Sequence, residues 1–239
     1  MVSSNSSYNN VTINHKVMCA VCFLLFSFLW LYEFQADVLA VAQHVLSDGV
    51  TQYHRLVGAI VITSVLYALQ ICVATVTKMS CWSYAMTYFP SMLLLTVISD
   101  VSSDIDLHFS FGAWLWIFPL LLIIWGGFVW ISHQLLSFGI DRGNEGNVFS
   151  KSLWINLSLM AGMMLGVGLF GNTNAVFHFS AHAEIAIMNG DYDEALRVGD
   201  KSLETNERLT MLRVFALSKK GKLADKLRSE ERFSRNAET

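Results

Sequence analysis

The residues whose types and spacing could do chemistry are few, and most are carboxylates. Asp104-Ile105-Asp106, with Asp100 before it and His108 after it, sets two carboxylates within reach of one divalent ion. Oxygen-rich sites of that kind suit Mg²⁺, Ca²⁺ or Mn²⁺. Glu33 and Asp37, just after the first apolar run, would supply a catalytic base or the second half of such a site. The plainer explanation is that these loops are acidic because Lys and Arg are kept on the other side of a membrane, and short Asp/Ser loops are ordinarily solvated.

Two further pairs have metal-like spacing. Cys19-x-x-Cys22 has that of a redox or half-zinc motif, but it sits inside the apolar run 17–32 with no nearby basic residue to activate a thiol. His178 and His182, at i and i+4, share a helix face. The Glu that a metalloprotease motif requires after its first His is replaced by Phe179. No cofactor is expected, except a divalent cation if the acidic loops are catalytic.

The elements that must position these groups follow from composition. The chain has 239 residues, 54% hydrophobic and only 15% charged, against roughly 25% charged in soluble domains. Residues 1–175 carry 13 charged side chains and the remaining 64 carry 22. The first part is composed for lipid and the second for water. A net charge of −3 with no basic face excludes nucleic acid as a partner. The four cysteines lie in or beside apolar segments and form no disulfide framework.

An all-α fold is expected: a polytopic membrane helix bundle of about five spans, then a short helical tail. Residues 1–16, rich in Ser and Asn, read as disordered. The transmembrane domain covers 17–175, with spans at about 17–36, 56–77, 83–99, 111–138 and 153–171. A signal peptide with cleavage near Ala40-Val41-Ala42 is the competing reading of the first span, but that site stands too far from the apolar core. Pro90 should kink the third span. Trp114, Trp116, Trp125 and Trp130 fall towards the two ends of the fourth, as an interfacial belt requires.

No span holds a deeply placed Asp, Glu, Lys or Arg, which argues against a proton-coupled transporter. Gln70, His133 and Asn156 are the strong polar candidates, with His133 near an interface. In the fifth span Ser158, Gly162 and Gly166 recur every four residues, a spacing that lets helices approach closely, within the bundle or between two copies in a homo-oligomer.

Orientation follows from the short connections. Lys16, Lys78, Arg142 and Lys151 fall on one side and Arg55 on the other, so the first side is expected to be cytoplasmic. The N-terminus is then cytoplasmic, and the tail, residues 176–239, lies outside the cytoplasm.

In the tail, helices are expected at 177–188, 192–203 and 207–220, with Asn189-Gly190 and Gly221 as stops. Gly190-Asp-Tyr-Asp-Glu-Ala-Leu196 aligns with Gly221-Lys-Leu-Ala-Asp-Lys-Leu227 at a spacing of 31 residues. The segment resembles tetratricopeptide repeats, whose period is about 34 residues. Gly190, Tyr192 and Ala195 match that family's Gly-x-Tyr-x-x-Ala turn, and Ala183 fits its small position. Gly199 departs from the pattern, where a large aromatic is usual, as does Glu207, where Pro often ends the unit.

The resemblance implies a protein-binding tail. It also implies additional repeats or a partner to finish the stack, because about three units are normally needed for stability. The whole chain, through its layout and the stretch Ala-Glu-Ile-Ala-Ile-Met-Asn-Gly-Asp-Tyr-Asp, resembles a family of uncharacterised bacterial multi-pass membrane proteins. That places it in a bacterial inner membrane and carries no activity.

The leading expectation is thus an integral membrane protein that presents its tail for protein interaction or assembly, with membrane lipid as its other partner. The alternative is an enzyme similar to membrane glycosyltransferases, which keep acidic residues on extracytoplasmic loops and use lipid-linked donors. It would have Asp104, Asp106 and His108 as metal ligands and Glu33 or Asp37 as base. A third reading makes the chain a fragment of a larger protein.

Overall fold

The computed structural model describes residues 2–101, 112–137, 151–202 and 204–224. Among them the chain is all-helical, without strands. It divides into two compact units, Met1–Ala36 with His54–Asn172, and Asp37–Tyr53 with Thr173–Thr239.

The first unit contains four helical stretches long and apolar enough to cross a membrane: Asn14–Phe34, Arg55–Thr77, Trp114–Gln134 and Lys151–Phe170. At 1.5 Å per residue, some 20 residues cover about 30 Å, the thickness of the hydrocarbon core. They belong to α1 (Val2–Leu29) with a π-helical turn Trp30–Phe34, α3 (Arg55–Thr77), α5 (Trp114–Ser137) and α6 (Lys151–Phe170). The first helix begins at Val2, where disorder to residue 16 was expected.

The segment expected as a third span takes another form. Tyr84–Tyr88 is 3₁₀ helix, and α4 (Phe89–Ser99) follows without a break. Pro90 does not kink a helix; it stands in the first turn of α4, where a missing N–H costs nothing and a fixed φ is already helical. Together the two pieces rise about 26 Å. Tyr88, Pro90, Ser91, Met92, Leu93, Leu95, Thr96 and Ser99 are all buried. Irregular backbone at membrane depth is tolerated when protein, not lipid, surrounds it.

Buried polar side chains close around this central piece. Gln70 Nε2 donates to Thr87 Oγ1 at 3.1 Å and to Tyr84 Oη at 3.3 Å. Ser91 Oγ donates to the Leu66 carbonyl at 2.8 Å. Trp125 Nε1 donates to the Met86 carbonyl at 2.9 Å, and Trp30 Nε1 to Ser99 Oγ at 2.8 Å. The outer surfaces are the reverse: Val57, Ile60, Val61 and Val65 of α3 and Leu115, Trp116, Leu120 and Ile123 of α5 are exposed. Apolar outside and hydrogen-bonded inside is the arrangement lipid demands.

Among the described residues the second unit holds α2 (Ala36–Leu46) from Asp37 onward and three helices of the tail, α7 (Ala175–Met188), α8 (Tyr192–Arg197) and α9 (Glu207–Lys219). Val38, Val41 and Ala42 of α2 are buried; they stand at i, i+3 and i+4, although no separate helix was expected there. Ala183, Ala186, Ala195, Val198, Leu209 and Ala216 form the core of the tail helices, with Val176, Phe179, Ile187, Tyr192, Leu196 and Leu212 packed against it.

Candidate functional site

The tail helices are built twice with the same devices. Asn174 caps α7 by accepting from the N–H of Val176 and Phe177 at 3.0 and 3.2 Å, and Asn206 caps α9 by accepting from that of Leu209 at 2.7 Å. Each cap satisfies donors that a helix start leaves unpaired. At the far ends, the Gly190 and Asp191 amides donate to Ile187 and Ala186 carbonyls, and those of Gly221 and Lys222 to Ser218 and Leu217. Both are the double-bonded stop that follows a left-handed residue, and Gly190 and Gly221 have φ of +77° and +67°. The stops expected at these glycines are present.

The second tail helix is shorter than expected. It ends at Arg197 rather than at residue 203. Val198 turns extended, with ψ of 122°, and Gly199 turns left-handed, with φ of +65°. A side chain at Gly199 has no room: its Cβ would stand 3.0 Å from Cδ2 of Phe179. Phe179, from the preceding helix, takes the space a side chain at residue 199 would need. Asp191 caps α8 by accepting from the Glu194 amide at 3.0 Å. Tyr192 lies half-buried at the start of α8 and Ala195 is buried beneath it.

Charge pairs join these helices. Arg208 Nη2 lies 2.6 Å from Glu184 Oε2, and Lys220 Nζ contacts Asp193 Oδ1. The hydrogen bond and positive charge of Lys220 hold the exposed Asp193 carboxyl below the usual carboxylate range. His182 faces two carboxylates, with Nδ1 donating to Asp37 Oδ2 at 2.7 Å and Nε2 3.5 Å from Glu194 Oε1. Three elements therefore meet at one imidazole: α2, α7 and α8.

Two candidate bases are thereby assigned neighbours. Asp37 is bound to His182, and Glu33 pairs with Arg55 at 3.5 Å, with both side chains well exposed. The Arg55 guanidinium also covers the Tyr32 ring, 4.9 Å from its centroid. The structure places Glu33 in the first unit and Asp37 in the second. Asp104, Asp106 and His108 lie outside the described residues. Asp100, before them, accepts from Trp114 Nε1 at 2.6 Å. Among the described residues no three His, Cys, Asp or Glu side chains are grouped to hold a metal ion.

Ser158 and Gly162 are exposed and Gly166 is half-buried. A Cβ added at either glycine would meet nothing within 4 Å, so among the described residues nothing packs closely on that stripe. The helix packs instead through Leu153, Asn156, Met160 and Val167. The tight glycine is Gly171, where a Cβ would stand 3.3 Å from that of Ser99. His133 donates to the Thr77 carbonyl at 2.7 Å, at the end of α3.

One pair escaped the sequence reading. His15 Nδ1 stands 3.2 Å from Cys81 Sγ, an imidazole beside a cysteine that lies outside the Cys19-x-x-Cys22 pair. The two residues stand 66 positions apart, and nothing local in the sequence marks the pairing.

The last helix presents an apolar face that nothing described covers. Met211, Val214 and Phe215 are 63, 45 and 45% exposed at i, i+3 and i+4, and Lys219 Nζ lies over the Phe215 ring at 5.4 Å. No protein-family model, curated protein or solved structure matches this chain.

Proposed function

We propose that this chain is an integral membrane protein of five crossings that presents a tetratricopeptide-like helical tail outside the cytoplasm for protein interaction or assembly. The observation that carries the proposal is the repeated helix, Asn-capped and Gly-stopped, which ends on the exposed face of Met211, Val214 and Phe215. Helical repeats bury their faces by stacking on a neighbour. In the first tail unit α8 and α9 supply the neighbour of α7; the outer face of α9 is open to the next element of a stack.

The fifth crossing is the 3₁₀–α4 segment, whose surroundings are protein and whose rise of about 26 Å nearly matches the hydrocarbon core. Orientation rests on Lys16, Lys78, Arg142 and Lys151 against Arg55. The enzyme reading gains nothing from Glu33 and Asp37, which are held by Arg55 and His182.

The test is photo-crosslinking in the native membrane with the full-length chain. A photoreactive residue at Phe215 is expected to give a discrete protein adduct, and one at the lipid-facing Ile123 to give lipid adducts. Absence of a protein adduct at Phe215, and equally at Met211 and Val214, overturns the proposal.

A further inference from the structure

Three elements converge on Cys81 in the first unit. Cys81 opens the turn between α3 and the 3₁₀ segment. Its carbonyl accepts from Asn156 Nδ2 at 2.6 Å, while Asn156 Oδ1 accepts from the Ala85 amide at 2.7 Å. A fully buried side chain of α6 thus grips the turn on both sides. The sulfur is held as well, 3.2 Å from Nδ1 of His15, which is 2% exposed. Cys19, one turn along α1 from His15, is also buried.

A thiol is a weak donor, and a hydroxyl would make the same structural bond better. A thiol fixed at hydrogen-bond distance from an imidazole is instead the arrangement that makes a nucleophile and its base. The surroundings narrow the electrophile. Lys16 and Lys78 are exposed at this end of the unit, and so are the apolar side chains of Val17, Met18 and Val76. An acyl thioester fits both features: its chain enters the lipid, and its phosphate-bearing carrier meets the lysines.

We propose that Cys81 is a site of S-acylation that takes a long-chain acyl group from an acyl thioester, with His15 as the base. His15 Nδ1 takes the thiol proton as Cys81 Sγ attacks the thioester carbonyl. The new carbon–sulfur bond forms on Cys81, the donor's carbon–sulfur bond breaks, and the leaving thiolate recovers the proton from His15. The step consumes no oxidant or cofactor. Cysteines at membrane boundaries are ordinary sites of such acylation. Cys72, the more exposed thiol, has no imidazole contact among the described residues.

The experiment incubates the full-length protein in bicelles with alkyne-tagged palmitoyl-coenzyme A and maps hydroxylamine-labile label by mass spectrometry. Label is expected on Cys81, lost in Cys81→Ser and retained in Cys72→Ser. His15→Gln should slow it on the order of a hundredfold, the usual contribution of a general base. The same variant should still be alkylated at Cys81 by iodoacetamide in strongly alkaline buffer, where no base is needed.

Label spread equally over Cys72 and Cys81, no label at all, or a rate indifferent to His15→Gln overturns the proposal. A thiol-reducible adduct in place of a hydroxylamine-labile one overturns it too, by showing disulfide chemistry. The distribution of label in the wild-type protein decides the site even if His15→Gln fails to fold.

Discussion

The two units solve the same problem, helix packing, with different materials. In the first, polar side chains, Gln70, Ser83, Thr87, Ser91, Thr96 and Asn156, are buried among apolar ones such as Phe23, Leu66, Leu95 and Met160, while Val, Ile, Leu and Trp also cover the outside. In the second, the centre is Ala183, Ala186, Ala195, Val198, Leu209 and Ala216, and the charges of Glu184, Asp193, Arg208 and Lys220 lie towards the surface. Where the solvent is lipid, apolar burial gains little and hydrogen bonds and shape hold helices together. Where it is water, apolar burial dominates.

The largest test of that contrast is Leu209→Ala, which empties a fully buried position of the second unit. It should cost about 3 kcal/mol, read as faster hydrogen exchange in α7 and α9 with exchange in α3 and α6 unchanged. Next is Asn156→Leu, which keeps the branched side-chain skeleton but strips the Cys81 carbonyl and the Ala85 amide of their partner. In the first unit an apolar replacement should destabilise by about 2 kcal/mol, measured by denaturation in mixed micelles. A stabilised Asn156→Leu protein would break the comparison.

The span helices were legible because length and apolarity leave few alternatives. The 3₁₀–α4 piece was legible as a segment but not as a form, since Pro90 reads alike as a kink or as a first turn. The stops at Gly190 and Gly221 were readable from local chemistry. The early end of α8 was less so, because it depends on Phe179 occupying the space beside Gly199. The buried face of α2 was legible in Val38, Val41, Ala42 and Val45 at i, i+3, i+4 and i+7 and was missed, whereas the pairing of Asp37 with His182 spans 145 residues. Contacts of that kind are tertiary facts with no local signature.

Glycines sharpen the contrast at smaller scale. Gly199→Ala meets both a left-handed φ and the Phe179 ring, and should cost about 2 kcal/mol; Gly190→Ala meets only the φ and should cost about 1. Gly162→Ala meets nothing within 4 Å and should leave the fold of a single copy unharmed. If it abolishes self-association seen by crosslinking in membranes, the exposed stripe joins copies.

The smallest effect belongs to Asp193, whose pKa is lowered in the folded chain by Lys220. A depressed carboxyl contributes stability above its unfolded value and loses it as pH falls through the folded one. Tail unfolding followed by circular dichroism should therefore show a slight acid limb that Lys220→Gln flattens.

The central claim is that the change of solvent near Asn174 coincides with a passage out of the cytoplasm. It is tested most directly by placing single cysteines at Thr210 in the tail and Arg142 in the loop, in a background freed of the four native ones, and treating intact cells with a membrane-impermeant maleimide. The orientation predicts labelling at residue 210 without permeabilisation and at residue 142 only after it. The reverse pattern, or equal labelling of both in intact cells, would contradict it.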